Sequence, residues 1–514
     1  MKGLGKKEEW ALTRSVLLLL KNSADTLKFW IDRINKSREG KHSPAFIGWC
    51  AALVSGLLLI LMLFVPPYLG LSDDGSFARI ANSAGIYHYE DTDENFYFNY
   101  YVKGYLSLSA PSDSAQRYIS SQSLFIRTAK WLDTLFTRDN HFDLRFLALL
   151  YGILFVPALA LLVKQAARRM EKFSERVVTG FVGVLVFTDV SYMTYFSSFY
   201  VEAMMYICFL LCVGAAFALQ EEKHNGRYLF LYTAAGILLI TAKYQCAVLG
   251  IFLGILCVKF LFIKEGLLWR AGCIACALVL FFSMMVSLSY IPKDFTQASK
   301  YHAMTRGVLL QASDPEKALA EFGIDASYSV LTDTNSNDSF PFINPNNKSL
   351  EEGFFNKYNS IQIAYYYMKH PKAMLAMLDI SVKSALNLRP SVSGNYEKSV
   401  GMPKMAKSLF WSLWSNFKTR SAPRTIGYII VLLVASILLF RQHQASGISR
   451  YRLRGSIPLE TILIVLFIGL SQAALTIVNS GDAEMTQHLF LFSVSIDVVT
   501  YFCFAEVLHK INII

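Results

Sequence analysis

The chain has 514 residues, 54% hydrophobic and 17% charged, with a formal net charge of +11 and a mean hydropathy of +0.37. Repeated apolar windows, each able at 1.5 Å per residue to cross a hydrocarbon core of about 30 Å, exclude a string of soluble domains. The Lys and Arg residues cluster in loops between those windows, the pattern of a topology signal rather than a nucleic-acid surface, so no nucleic-acid partner is expected.

In chain order, a basic tail (residues 1–44) comes first, with a helical-looking stretch at 10–34 suited to a cytoplasmic membrane surface near anionic lipids. The first apolar window, 45–65, has this charged tail before it and no small-residue cleavage site after it, so it reads as a span and not a signal peptide. About ten spans are expected, at 45–65, 144–163, 177–193, 200–219, 228–242, 246–263, 270–291, 425–440, 459–478 and 489–508. The tail, the 164–176 loop and the 441–454 loop are basic, whereas the connections at 194–199 and 479–488 carry no Lys or Arg. Cytoplasmic loops are enriched in these residues, so both termini are expected in the cytoplasm.

Two polar segments then face outward: 66–143, within the block of spans 45–291, and 292–424, ahead of the last spans at 425–514. In the first, Leu124, Thr128, Trp131, Leu132 and Leu135 recur at helical spacing, as in a helix lying along the membrane surface. In the second, SDPEKALAEFG (313–323) predicts a short helix with Ser313 as N-cap, Pro315 in the first turn and Gly323 as stop, and SFPFINPNNKS (339–349) predicts a loop. All eight cysteines fall in apolar windows, so no disulfide framework is expected, and the Cys273/Cys276 pair reads as helix packing.

The candidate chemistry lies at span ends. Asp73 and Asp74, in LSDDGSF, follow the first span; behind Ser72 as N-cap they suit a short helix ending near Gly85, and a carboxylate pair beside lipid also suits a general base. Glu202 opens the fourth span, Lys243 sits between the fifth and sixth, and Asp482, Glu484 and His488 lie between the last two. On one outer face, these groups suggest a site for a phosphate-bearing lipid substrate, with Lys243 either facing the phosphate or snorkelling to the interface. Asp497, near the middle of the last span, reads as a helix–helix contact or a relay, and no other mid-membrane charge is evident to partner it. The turn-rich LRPSVSGNYEKSVG (388–401), which holds Tyr396, reads as a solvated loop, and the aromatics of 95–105 as interfacial anchors or sugar-stacking rings.

The ordered set SDDGSFARIANSAGIYH (72–88), SFYVEAMMY (198–206), TAKYQ (241–245), KYHAMTRGVLL (300–310) and SGNYEKS…KSLFWSLWSNFK (393–418) resembles the GT-C superfamily of integral-membrane glycosyltransferases. Within it, the set is similar to bacterial hexose transferases of surface-glycan biosynthesis, including the WsfD-type proteins. The resemblance implies an all-α polytopic membrane enzyme with two large external loops, using a sugar on polyprenyl phosphate at the outer face of a bacterial plasma membrane. The acceptor would be a surface polysaccharide or glycolipid. It also implies Asp73 as the acceptor's general base, with Asp74 as its alternate. Lys243 would steady the phosphate, Arg79 and His302 would be weaker contacts, and Glu202 would shape the pocket. Tyr244, Tyr396, Asp482, Glu484 and His488 complete the expected substrate-binding set. Some members of that superfamily require a divalent metal and others do not, so metal use stays open. A lipid-linked glycan polymerase or ligase is the nearer alternative, and a lipid-linked sugar flippase the more distant one, since no inverted repeat is evident.

Overall fold

The computed structural model describes residues 43–89, 97–109, 120–221, 225–289, 293–336, 348–441, 455–483 and 485–511. The basic tail with its helix at 10–34, nearly all of the 441–454 loop, most of the loop at 339–349, and Glu484 lie outside these residues.

The protein is a mostly helical membrane protein with little sheet. Among the described residues, seven helices are long and apolar enough to cross a membrane, or nine if each of two bent pairs is one span. Ser43 opens α1 (Pro44–Leu63) by accepting the Phe46 N–H, with Pro44 in the first turn. After a short α2 (Phe77–Ser83) and the amphipathic α3 (Gln122–Thr137), the membrane helices α4 (Arg145–Ala167), α5 (Phe173–Phe187) and α6 (Val190–Met193) follow. Next come α7 (Glu202–Glu221), α8 (Asn225–Ile240), α9 (Leu249–Lys259) and α10 (Leu267–Ser289). Helix α7 is the centre of the bundle: α4 and α8 pack along it, and almost none of its membrane window is exposed.

One expected span, 177–193, is broken, and another, 425–440, is a continuous helix with a sharp bend just before it. Helix α5 and the segment Val190–Ser197 meet at 48°, because Asp189 caps the new turn by accepting the Ser191 N–H. The expected span at 425–440 is one arm of a pair bent by 113°, in which Leu413–Ser421 crosses to Ile426–Phe440 through a break containing Pro423. Helix α8 has 16 residues, which at 1.5 Å each fall short of a hydrocarbon core of about 30 Å.

The polar segment after α1 also holds strands, which the sequence does not predict. Ile86–Tyr87, Gly104–Ser107 and His141–Asp143 form a small antiparallel sheet, β1–β2–β3, too short for alternation to reveal. Against it, α3 buries Ile126, Ala129 and Asp133 and exposes Leu124, Trp131 and Leu135, the face expected to meet lipid.

Two capping expectations need correction. Ser72 does not cap the helix after the acidic pair; its hydroxyl donates to the Phe98 carbonyl (2.8 Å) and accepts the Gly394 N–H (3.0 Å). The turn at Gly75 delays the helix to Phe77, so Ser76 takes the N-cap position without a side-chain cap bond, and the Asp73 carboxylate accepts the first helical N–H, of Phe77, at 3.1 Å. At Pro315–Glu321 the cap is Asp314 rather than Ser313, its carboxylate accepting the Lys317 N–H. All eight cysteines are free thiols, as expected of residues on apolar helix faces.

Candidate functional site

The site forms where four membrane segments end at one level. Glu202 begins α7, Lys243 follows α8, and Ser480 ends Ile457–Ser480 (α17, after α11 Lys293–His302, α12 Pro315–Glu321, α13 Ser360–Lys369, α14 Pro371–Ala385, α15 Leu413–Ser421 and α16 Ile426–Phe440). His488 ends the short α18 (Met485–His488) and leads into the last span, α19 (Phe490–Ile511). Between them lies a cavity of about 430 Å³, within the usual size range of ligand sites. Of the sequence-expected residues, Asp74, Arg79, Glu202, Lys243, Tyr244, His302 and His488 line it.

The two aspartates separate. Asp73 is buried and fully engaged: one oxygen accepts the Gly75 and Phe77 N–H groups, at 2.7 and 3.1 Å, and the other accepts from His88 Nε2 at 2.9 Å. It is not among the cavity-lining residues; Asp74 is. One Asp74 oxygen accepts the Ser76 N–H at 3.0 Å and the other accepts from the Gln487 side-chain amide at 2.8 Å. A carboxylate bearing two neutral donors and facing a cavity retains lone pairs for a proton.

Opposite, Lys243 Nζ lies 3.0 Å from Glu202 Oε1, with both side chains largely buried. This pair carries a compact ammonium to the wall while its charge is balanced, as burial requires. His302 Nε2 accepts the Ser336 N–H at 3.0 Å, and Gln245 places its amide 3.0 Å from His488 Nδ1. Burial, the charge of Lys243 and then His302 push the His488 imidazole down to about 3, so it is neutral at physiological pH.

Tyr396 and Asp482 support the site from outside the cavity. The Tyr396 carbonyl accepts the Tyr101 N–H, and residues 394–396 run beside 69–72, where the Asn395 side chain donates to the Gly70 carbonyl at 2.9 Å. Thus LRPSVSGNYEKSVG is in part a buried brace rather than a wholly solvated loop, because its polar groups satisfy the backbone that presents the aspartates. Gly394 makes this approach feasible: a Cβ there would sit 2.0 Å from the Asn99 carbonyl oxygen. Asp482 accepts from Arg306 Nε at 2.8 Å, and Arg306 also pairs with Asp333 at 3.0 Å.

A second, mostly apolar cavity of about 360 Å³ adjoins the first, sharing Tyr244, Gln245 and Ser299 and walled by Val248, Leu288, Ile363, Leu475 and Val478. Among the described residues, no three His, Cys, Asp or Glu side chains converge as a metal centre.

Asp497 does have a charged partner, contrary to the expectation from sequence. Lys418 Nζ contacts both its oxygens, at 2.9 and 3.0 Å, and donates to Ser493 Oγ, while Tyr192 OH donates to Asp497 at 2.5 Å. Lys418 belongs by sequence to the polar segment 292–424, and the 113° bend folds it into the bundle. Gln487 and Gln245 carried no signal in the sequence, since neutral amides mark neither topology nor charge.

The model of the YfdI N-terminal transmembrane domain matches residues 32–514, and the chain belongs to that family. No curated protein matches it. Among solved structures, it is similar to the archaeal oligosaccharyltransferase AglB from Archaeoglobus fulgidus, in complex with an inhibitory peptide and a dolichol-phosphate. The identity is 13% and the TM-score 0.38, covering 90% of this chain and 51% of that one, so the chain spans about half the length of that protein.

Proposed function

We propose that the protein is an inverting hexosyltransferase of the bacterial plasma membrane, moving a sugar from a polyprenyl-phosphate donor to a cell-surface glycan on the outer face. The observation that carries this reading is the cavity of about 430 Å³ at the span ends. Its lining includes a partly exposed carboxylate, Asp74, together with the cations Lys243 and Arg79. Asp74 takes the proton of the acceptor hydroxyl as its oxygen attacks the anomeric carbon; the bond from that carbon to the phosphate oxygen breaks and the configuration inverts. Lys243 and Arg79 offset the charge gathering on the departing phosphate. The adjoining apolar cavity supports a lipid-linked donor, since the two share a wall at Tyr244 and Gln245 and a hydrocarbon chain suits the second as a phosphate suits the first.

The basic end of the bundle supports the orientation. Arg169, Lys259 and Lys510 lie at the helix ends away from the cavity, where Arg169 pairs with Glu506 and Lys259 with Glu460. Cytoplasmic placement of that end puts the cavity outside, with both termini in the cytoplasm.

The test is transfer of labelled hexose from its polyprenyl phosphate in membranes of an expressing strain. Asp74→Asn should abolish transfer without changing thermal stability. Asp73→Ala should lower stability by about 1–3 kcal/mol, through loss of the acceptor for the first helical N–H and of the partner of a half-buried His88. Wild-type rates in the Asp74→Asn membranes would overturn the proposed mechanism.

A further inference from the structure

The loop between the last two spans is clamped at one end and meets Asp74 at the other. At its start, Gly481 adopts a left-handed φ of 58° and packs on Gly307; a Cβ at Gly481 would lie 2.6 Å from the Gly307 nitrogen. Gly307 and Arg306 belong to a π-helical turn, Ala303–Val308, a local distortion that recurs at functional sites. Arg306 then holds Asp482 at 2.8 Å and Asp333 at 3.0 Å, and Ser360 donates to Asn479 at 2.8 Å. Held at these points, the loop turns through Met485–His488 and delivers Gln487 to the cavity wall. There its amide donates to Asp74 Oδ2 at 2.8 Å, across 413 positions of sequence.

We infer that Gln487 is a positioning residue, fixing the Asp74 carboxylate toward the acceptor side of the cavity, and that the Arg306–Asp482 clasp holds Gln487 in place to do so. Two donors pin the carboxylate, and they come from opposite ends of the chain: the Ser76 N–H is local, whereas Gln487 depends on the clasp. A base held by one donor alone turns about its χ2 torsion, which is broad for a carboxylate. Lost alignment costs rate at the chemical step rather than donor binding, because the proposed phosphate contact is a different lining residue, Lys243, which is paired with Glu202 and not with Gln487. A glutamine serves better than an acid here: it donates to the carboxylate without repelling it.

The inference rests on the transferase reading, so its test has one arm free of activity. In the first arm, Asp74→Cys/Gln487→Cys membranes are treated with a short bifunctional thiol reagent, whose span covers the reach of the two side chains, and an intramolecular cross-link absent from either single variant is expected. In the second, Gln487→Ala and the near-isosteric Gln487→Met should each lower kcat about tenfold with KM for the lipid-linked donor unchanged, and Gln487→Glu should lower it further. Arg306→Ala should reproduce the Gln487→Ala loss, and combining the two should add little. A cysteine pair that does not cross-link overturns the positioning role and leaves transfer by the wild type standing. Cross-linking with an unchanged kcat in both Gln487→Ala and Gln487→Met overturns it as well. Cross-linking in a protein whose wild type transfers no sugar overturns the transferase reading and this role with it.

Discussion

Replacing Lys418 with methionine isolates the most deeply placed charge pair in the protein. The Lys418 and Asp497 side chains are 2% and 0% exposed, and the ammonium lies 2.9–3.0 Å from both carboxylate oxygens. At 3 Å and an effective dielectric constant near 20, two opposite unit charges attract by roughly 5 kcal/mol. Desolvation cancels much of that gain, so the intact pair contributes little net stability, but removing one partner strands the other and costs about 3–5 kcal/mol. Asp497 would keep only the Tyr192 hydroxyl. Lys418→Met should therefore lower the Tm of the detergent-solubilised protein by about 5 °C, and Lys418→Met/Asp497→Leu should recover most of the loss. The molecule supplies its own reporter: its thiols are free and mostly buried, with Cys503 on the same helix as Asp497, so a thiol-reactive dye follows unfolding. The exposed Arg420, on the same short helix, is the control. A Lys418→Met protein that melts with Arg420→Met would refute the buried pair, as would a double variant no better than the single.

The remaining expectations concern the loops. Desolvation raises Asp133 to about 6, so the folded state binds a proton that the unfolded chain releases near pH 4, and stability falls as pH rises through that window. Asp133→Asn should melt higher than the parent above pH 6, with the gap closing by pH 4 in a thermal series. His488 has the opposite sign of response: it stays neutral when folded but takes a proton near pH 6.5 when unfolded, so stability falls as pH drops from 6.5 toward 3, and His488→Gln should flatten that slope. Gly394→Ala forces a methyl to 2.0 Å from the Asn99 carbonyl and should reduce both Tm and transfer by dislodging the brace under the aspartates. Lys243→Gln should raise KM for the phosphate-linked donor about tenfold or more while leaving Glu202 buried without its cation, visible in the same melting assay.

Spans were legible in the sequence because apolar length is a local property. Each of the ten expected windows holds a helix, and the differences lie in the break at Asp189 and in the 16-residue length of α8. Hydropathy averages over a window and cannot register a cap or a break inside it. The same locality explains the site. Asp74, Glu202, Lys243 and His488 stood out as charged or titratable groups at span ends, and topology alone placed them together. Which aspartate faces the cavity was not legible, because that depends on the turn at Gly75, which delays the helix to Phe77. Gln487, Asn395 and Lys418 each act through a partner remote in sequence, and nothing in their immediate neighbours announces it.

Helix α7 has almost no lipid-facing surface, whereas α10 leaves most of its length exposed. Changes in bilayer thickness act on a helix through the hydrocarbon that touches it, by tilt or by local stretching. In this bundle that load falls on the peripheral helices and hardly reaches the one that carries Glu202. The part of the cavity lining carried by α7 is thus held by protein packing rather than by the lipid around it.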